Sequence, residues 1–197
     1  VPSTGQGRVP GHGLFQQPWP EGEFRFFQLG FVADDLLATA ARWAAVHRVG
    51  PFHVLPPAEV ECTYRGTRSA LSLQIAVAQA GPVQIELIEQ RDDRPSVYRD
   101  LFTASEGGFH QLCTVTPDYD GKRRHLEGLG YELATEIVAD RYRVGFYDTV
   151  ADFGFFTEVV EETPDFVAQL EAISRTCAEW DGTDPVRLLT RGGYRTP

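Results

Sequence analysis

The chain repeats itself, and that repeat constrains its fold more than any other feature. Phe26-Phe27-Gln28-Leu29-Gly30-Phe31-Val32 aligns with Phe109-His110-Gln111-Leu112-Cys113-Thr114-Val115 at an offset of 83 residues, with Phe, Gln, Leu and Val in register. Asp35 and Asp118 follow at the same offset. The stretch Val83–Gln90 aligns with Phe155–Glu162 at an offset of 72, which superposes Glu86 on Glu158 and Glu89 on Glu161. The second half is shorter and has lost loop residues between its first and last strands.

Within each half the pattern reads strand, helix, then further strands. Residues 26–33 alternate as a half-buried strand does, and Asp34-Asp35 offers an N-cap. Leu36, Leu37, Ala40, Trp43 and Ala44 then form an apolar helical face that Gly50-Pro51 ends. Strands are expected at about 59–65, 69–79 and 82–89. The second half predicts a strand at 109–116, a helix at 118–129 and strands at 131–138, 141–148 and 154–161. Thr163-Pro164-Asp165 opens a helix through about Trp180, and the last 17 or so residues look irregular.

This divides the chain into a Gly/Pro-rich arm (1–23), a first βαβββ module (24–90), a linker (91–106), a second module (107–162) and a C-terminal helix and tail (163–197). Phe15 and Trp19 are the expected docking anchors of the arm. The fold class is α+β: two modules forming one cup-shaped mixed sheet with helices outside.

A net charge of −10 disfavours a nucleic-acid partner, which needs clustered basic surface. The one basic cluster, Lys122-Arg123-Arg124-His125, reads as a solvated helix face, with a docking point for an anionic substrate tail as the alternative. No apolar run is long enough to span a membrane and the start lacks the form of a signal peptide, so a cytoplasmic protein is expected. Three widely spaced cysteines make neither a disulfide framework nor a zinc signature.

Strand alternation and the repeat then place four oxygen-bearing side chains symmetrically: Gln28 and Gln111 on first strands, Glu86 and Glu158 on last strands. Two carboxylates balance a divalent cation, and two amide oxygens extend the shell without excess charge. An ion held there stabilises an enolate formed beside a carbonyl, and a carboxylate moves the proton. Without an ion, two neighbouring carboxylates repel, which raises the pKa of one of them.

The segments FFQLGFVADDL, VGPF, VQIELIEQ, FHQLCTV and RVGFYDT…GFFTEVVE resemble the vicinal-oxygen-chelate superfamily, in particular its glyoxalase-like branch containing methylmalonyl-CoA epimerase. The resemblance covers about residues 24–162. It implies a lyase or isomerase acting on a small carbonyl compound or thioester, a homodimer, and a divalent metal (zinc, manganese, nickel or cobalt). The implied ligands are Gln28, Glu86, Gln111 and Glu158, with Glu158 or Glu86 as proton-transfer group. The third position is usually His and here is Gln111. His110 precedes it, but regular alternation turns it to the opposite face. An iron site with two histidines and one carboxylate is not matched, which argues against an extradiol dioxygenase.

Tyr147, Arg143, Phe156 and Cys113 are the candidate substrate contacts, and His53 is a further loop candidate. Two other readings stand beside the metal enzyme. One is a metal-free carrier of an apolar aromatic or polyketide-like ligand, lined by Phe26, Phe109, Phe155 and Phe156. The other is a metal-free enzyme using the carboxylates alone. Gln28 and Gln111 have an alternative role as hydrogen-bond partners of each other or of the backbone.

Overall fold

The computed structural model of the chain describes residues 25–139, 142–190 and 192–197; the arm with Phe15 and Trp19 lies outside the described residues. The first half runs β1 (Arg25–Val32), α1 (Leu36–His47), β2 (Phe52–Val54), β3 (Ala58–Tyr64), β4 (Thr67–Ala80) and β5 (Val83–Gln90). A short helix α2 (Val97–Leu101) precedes the second half: β6 (Gly108–Thr116), α3 (Tyr119–Gly128), β7 (Leu133–Val138), β8 (Arg143–Tyr147), α4 (Val150–Phe153) and β9 (Phe156–Glu161). The chain then continues into α5 (Pro164–Ala178), β10 (Val186–Thr190) and β11 (Gly193–Arg195).

The helix starts follow the repeat. Asp35 accepts a hydrogen bond from the Ala38 amide at 2.9 Å, and Asp118 accepts one from the Gly121 amide at 2.9 Å. Each such cap stabilises its helix by about 1 kcal/mol. Leu36, Ala40 and Ala44, one turn apart, bury against Ile85 and Leu87 on the outer face of β5.

In each module the first strand pairs parallel with the last, β1 with β5 and β6 with β9. The two modules meet where β1 and β6 run antiparallel. A second seam joins β3 to β7 through Thr63↔Glu136 and Tyr64↔Thr135. With β4 paired to β5, these seams close a ring in the order β4-β3-β7-β8-β9-β6-β1-β5. The expected cup is therefore a mixed sheet curled into a barrel, with its principal helices outside.

Leu71, Leu73, Ile88, Val115, Phe146, Phe156 and Val160 fill much of the barrel, and each fully buried apolar side chain contributes about 1.5–3 kcal/mol. The segment between the halves does more than connect them. Ser96 caps α2 by accepting from the Arg99 amide, and α2 delivers buried Val97 and Tyr98 into this interior core. At the opposite end lies α5: Phe166 packs on Phe27 and Tyr142, while Cys177 Sγ sits 3.2 Å from the Gln79 amide.

The C-terminal tail corrects the sequence expectation of an irregular end. Val186, Arg187 and Leu188 of β10 pair with Phe52, His53 and Val54 of β2, and β11 pairs with β10. These strands are too short for periodicity to reveal; they exist because β2 offers them an edge to extend.

Candidate functional site

The barrel register explains why the four predicted residues converge. Paired residues on neighbouring strands share a face. Gly30 of β1 is opposite both Glu86 and Gln111, and Gln111 is opposite Phe156. One row along, Gln28 is opposite Gln84 and Cys113, and Cys113 is opposite Glu158. All of these face inward. The apolar core thus carries two carboxylates and three amides.

Each polar group is tied differently. Gln28 Nε2 donates to Gln84 Oε1 at 2.7 Å, and the Gln84 amide nitrogen is buried without a partner. Gln111 is fully enclosed, with its amide nitrogen 3.1 Å from Glu86 Oε2 and its oxygen against His110 Nδ1. Glu158 is 6% exposed, and its Oε2 is buried with no hydrogen-bond partner. Gly30 is what lets the Gln111 side chain cross β1, since a Cβ there would collide with the amide.

Burial dominates the electrostatics. Desolvation pushes Glu158 up to about 7, opposed by hydrogen bonds from Cys113 and Gln111. Glu86 retains some accessible surface. Desolvation first, and the Glu158 charge second, still raise it well above the usual carboxylate range, opposed by Gln111. The two acids act as one coupled pair. Cys113, raised by burial and by both glutamates, is held as a thiol.

His110 is placed differently from the sequence expectation. The register slips between Gly30/Gln111 and Phe31/Phe109, so His110 occupies a β-bulge. The extra residue breaks the alternation, and His110 joins Gln111 on the inner side. There it is fully buried, stacked on Phe156 and beside Tyr98 and Phe146. Neither the bulge nor the short helix α2 that places Tyr98 beside His110 has a sequence signature strong enough to have shown this.

The remaining candidates separate. Phe156 and Cys113 line the interior next to the carboxylates. Tyr147 and Arg143 do not, correcting the placement near the mouth: Phe146 is opposite Glu158, so its alternates face outward. Tyr147 packs with Tyr119, Leu126 and Val159 on the outside, and Arg143 pairs with Asp120 and Glu161 over the Tyr119 ring. Of the four phenylalanines suggested as a ligand lining, only Phe156 lies in this core; Phe109 meets Phe31 at a tilt and Phe155 edge-on, and Phe26 is exposed. His53 sits in β2 beside Tyr194, buried, with both ring nitrogens unpartnered.

Among the described residues, no group of three or more His, Cys, Asp or Glu could hold a metal ion. A cation here therefore needs the amides. The donor set fits one of the hard or borderline kind: the orphaned Glu158 Oε2 and Glu86 stand at symmetric places in the two modules, with the Gln28 and Gln111 amides on the first strands beside them.

A family model, the Glyoxalase/Bleomycin resistance protein/Dioxygenase superfamily, matches residues 27–146. No curated protein sequence matches the chain. Among solved structures, the chain is similar to a methylmalonyl-CoA epimerase variant from Streptomyces coelicolor in complex with 2-nitronate-propionyl-CoA. The identity is 17%, over 72% of this chain and 96% of that one, with a TM-score of 0.51. It is also similar to a hypothetical protein from Bacillus halodurans, at 14% identity over 71% and 95% of the two chains, again with a TM-score of 0.51. At such identity these likenesses speak to the fold. From the family match together with the paired modules, the chain belongs to the glyoxalase/bleomycin resistance protein/dioxygenase superfamily.

Proposed function

We propose that this chain is a divalent-metal-dependent lyase or isomerase that moves a proton next to the carbonyl of a small carbonyl compound or thioester. The observation that carries the reading is the Glu86–Glu158 pair. Two carboxyl groups share a desolvated interior, and one has an oxygen with no partner. An apolar core gains nothing by burying such a pair, whose desolvation costs several kcal/mol per ion when uncompensated. A site that must bind charge and exchange protons near neutral pH does gain from it.

Gln28, Glu86, Gln111 and Glu158 would hold the ion. When bound, the ion supplies Lewis-acid stabilisation of an enolate-like intermediate. Glu158 is the proton-transfer group: its carboxyl lies in the interior with one oxygen that has no hydrogen-bond partner, positioned to exchange a proton with a bound substrate. Glu86 is its symmetric alternative. Phe156 and the Cys113 thiol bound the reacting region, and the α2 plug with Tyr98 excludes water from one end. In keeping with the resemblance, the working unit is a cytoplasmic homodimer taking a small-molecule substrate.

The test is solvent exchange. In deuterated buffer with manganese or zinc, a panel of α-carbon-acidic ketones and thioesters is followed by proton NMR. Loss of an α-proton signal that needs the cation and disappears in Glu158→Gln supports the reading. Exchange that persists in chelator sends the assignment to the carboxylates alone. No exchange, with an apolar aromatic bound instead, favours the metal-free carrier, a reading that rests on Phe156 as interior lining.

A further inference from the structure

The repeat that doubles Gln28 as Gln111 and Glu86 as Glu158 breaks at one inward position. The offset of 72 residues sets Gln84 over Phe156. Gln84 stands opposite Gln28 across β5 and β1, and Phe156 stands opposite Gln111 across β9 and β6. The two therefore occupy equivalent places beside the two first-strand amides. One is an amide and the other a phenylalanine. The interior is two-fold in its acids and lopsided in its walls.

Gln84 is 2% exposed. Its Oε1 accepts from Gln28 Nε2 at 2.7 Å, while its own Nε2 is buried with no partner. Gln79, opposite it on β4, gives its Nε2 to the Gly81 carbonyl instead. Buried donors left unpaired are rare, because each forgoes the hydrogen bonds that water would have given it. A methionine would fill the same place without that loss. The row that begins at Gln84 runs through Gln28 and Cys113 to Glu158, whose Oε2 is also buried without a partner. A donor lacking an acceptor and a carboxyl oxygen lacking a partner thus share one inward row. A bound molecule with a carbonyl oxygen for Gln84 and an acidic C–H for Glu158 uses both. Phe156, at the place equivalent to Gln84, offers no rival donor, so the substrate oxygen is directed to one side.

The charge that this oxygen can bring is limited. Among the described residues no lysine or arginine is buried. His110 has both ring nitrogens engaged, by Val97 and Gln111, and offers a ligand no contact through them. A divalent ion balances the two acids and leaves no charge over. A substrate carboxylate would then meet two acids and an uncharged amide, and an anion desolvated without a counter-charge is strongly disfavoured. We infer that Gln84 is the hydrogen-bond donor this site offers its substrate, and that the group it takes is an uncharged carbonyl oxygen. The substrate class narrows to neutral ketones, esters and thioesters with no carboxylate beside the reacting carbon. This deepens the proposed function and rests on its interior site, but the choice of an uncharged substrate holds with the ion or without it.

The experiment uses two probes of similar shape, methyl pyruvate and pyruvate, which differ in charge. Their affinities for the full chain are measured by ligand-observed NMR titration, with zinc and again in chelator. Methyl pyruvate should bind roughly 10-fold or more tightly than pyruvate. Gln84→Met, close in volume, should weaken methyl pyruvate by roughly 10-fold, the usual effect of one lost hydrogen bond, while zinc affinity stays close to that of wild type. Wild type that prefers pyruvate, or binds neither probe, overturns the substrate class without needing any variant. Unchanged methyl pyruvate affinity in a folded Gln84→Met overturns the donor assignment. Zinc bound without methyl pyruvate sinks the inference and leaves the cation reading in place. Methyl pyruvate bound through Gln84 in chelator upholds the inference and removes the ion from the proposed function.

Discussion

Glu86 and Glu158 stand at matching places in the two modules and share one desolvated interior, so that neither ionises without the other feeling it. Their burial is the central physical fact about this barrel, and its consequences can be measured.

The first is a stability that depends on pH in the cation-free chain. Both folded pKa values lie above the unfolded carboxylate value of roughly 4.3. A raised folded pKa contributes stability that is fully present below the unfolded value and is lost as pH rises through the folded one, about 7 for Glu158. Thermal midpoints in chelator should therefore fall between pH 5 and pH 8. Glu158→Gln should fall less and melt above wild type at pH 8, by roughly 2–4 °C for each kcal/mol relieved. Parallel curves for the two proteins contradict this.

His53 acts in the opposite sense. Burial, and then the charge of Arg187, lower its pKa to about 4, and neither ring nitrogen has a partner. A lowered folded pKa contributes stability above the unfolded value of roughly 6.5, lost as pH falls through 4. Urea midpoints of wild type should drop on going from pH 7 to pH 4.5, and His53→Phe should flatten that limb. A limb of unchanged steepness assigns the acid sensitivity to other groups.

Gly30→Ala tests the close approach of β1 to Gln111. The new methyl collides with the Gln111 amide, which is fully buried and has to shift to admit it. Overpacking of this kind costs about 1–3 kcal/mol. Cation affinity should fall with stability, whereas Gly128→Ala, on α3 with nothing near its added Cβ, should leave cation affinity unchanged.

Tyr98→Ala tests the plug. Tyr98 is 4% exposed and packs on His110 and Phe146, so its loss opens a cavity at one end of the core. The cost should be about 3–5 kcal/mol, as for other large aromatic truncations. A cost below about 1 kcal/mol would mean that α2 rests on the barrel without plugging it.

What could be read from the sequence follows from what repeats. The offset that relates Gln28 to Gln111 also relates the caps Asp35 and Asp118, and these, with Glu86 and Glu158, define both modules and the inward row. What could not be read depends on register and on isolated events. His110 turns inward because one residue is inserted opposite β1, and a bulge leaves no periodic trace. Tyr147 faces outward because Phe146 is set opposite Glu158, a pairing of β8 with β9 that alternation within one strand does not fix. Tyr98 belongs to a five-residue helix, too short for a 3.6-residue pattern to show. β10 borrows its order from β2.

The central claim is that the paired carboxylates exist to hold a cation. The most direct measurement is metal content of protein purified without chelator, for wild type and for the Gln28→Ala/Glu158→Ala double variant. The account predicts a single divalent ion per chain in wild type and none in the variant, with both proteins folded. Wild type that stays metal-free even after incubation with zinc, manganese, nickel and cobalt contradicts it.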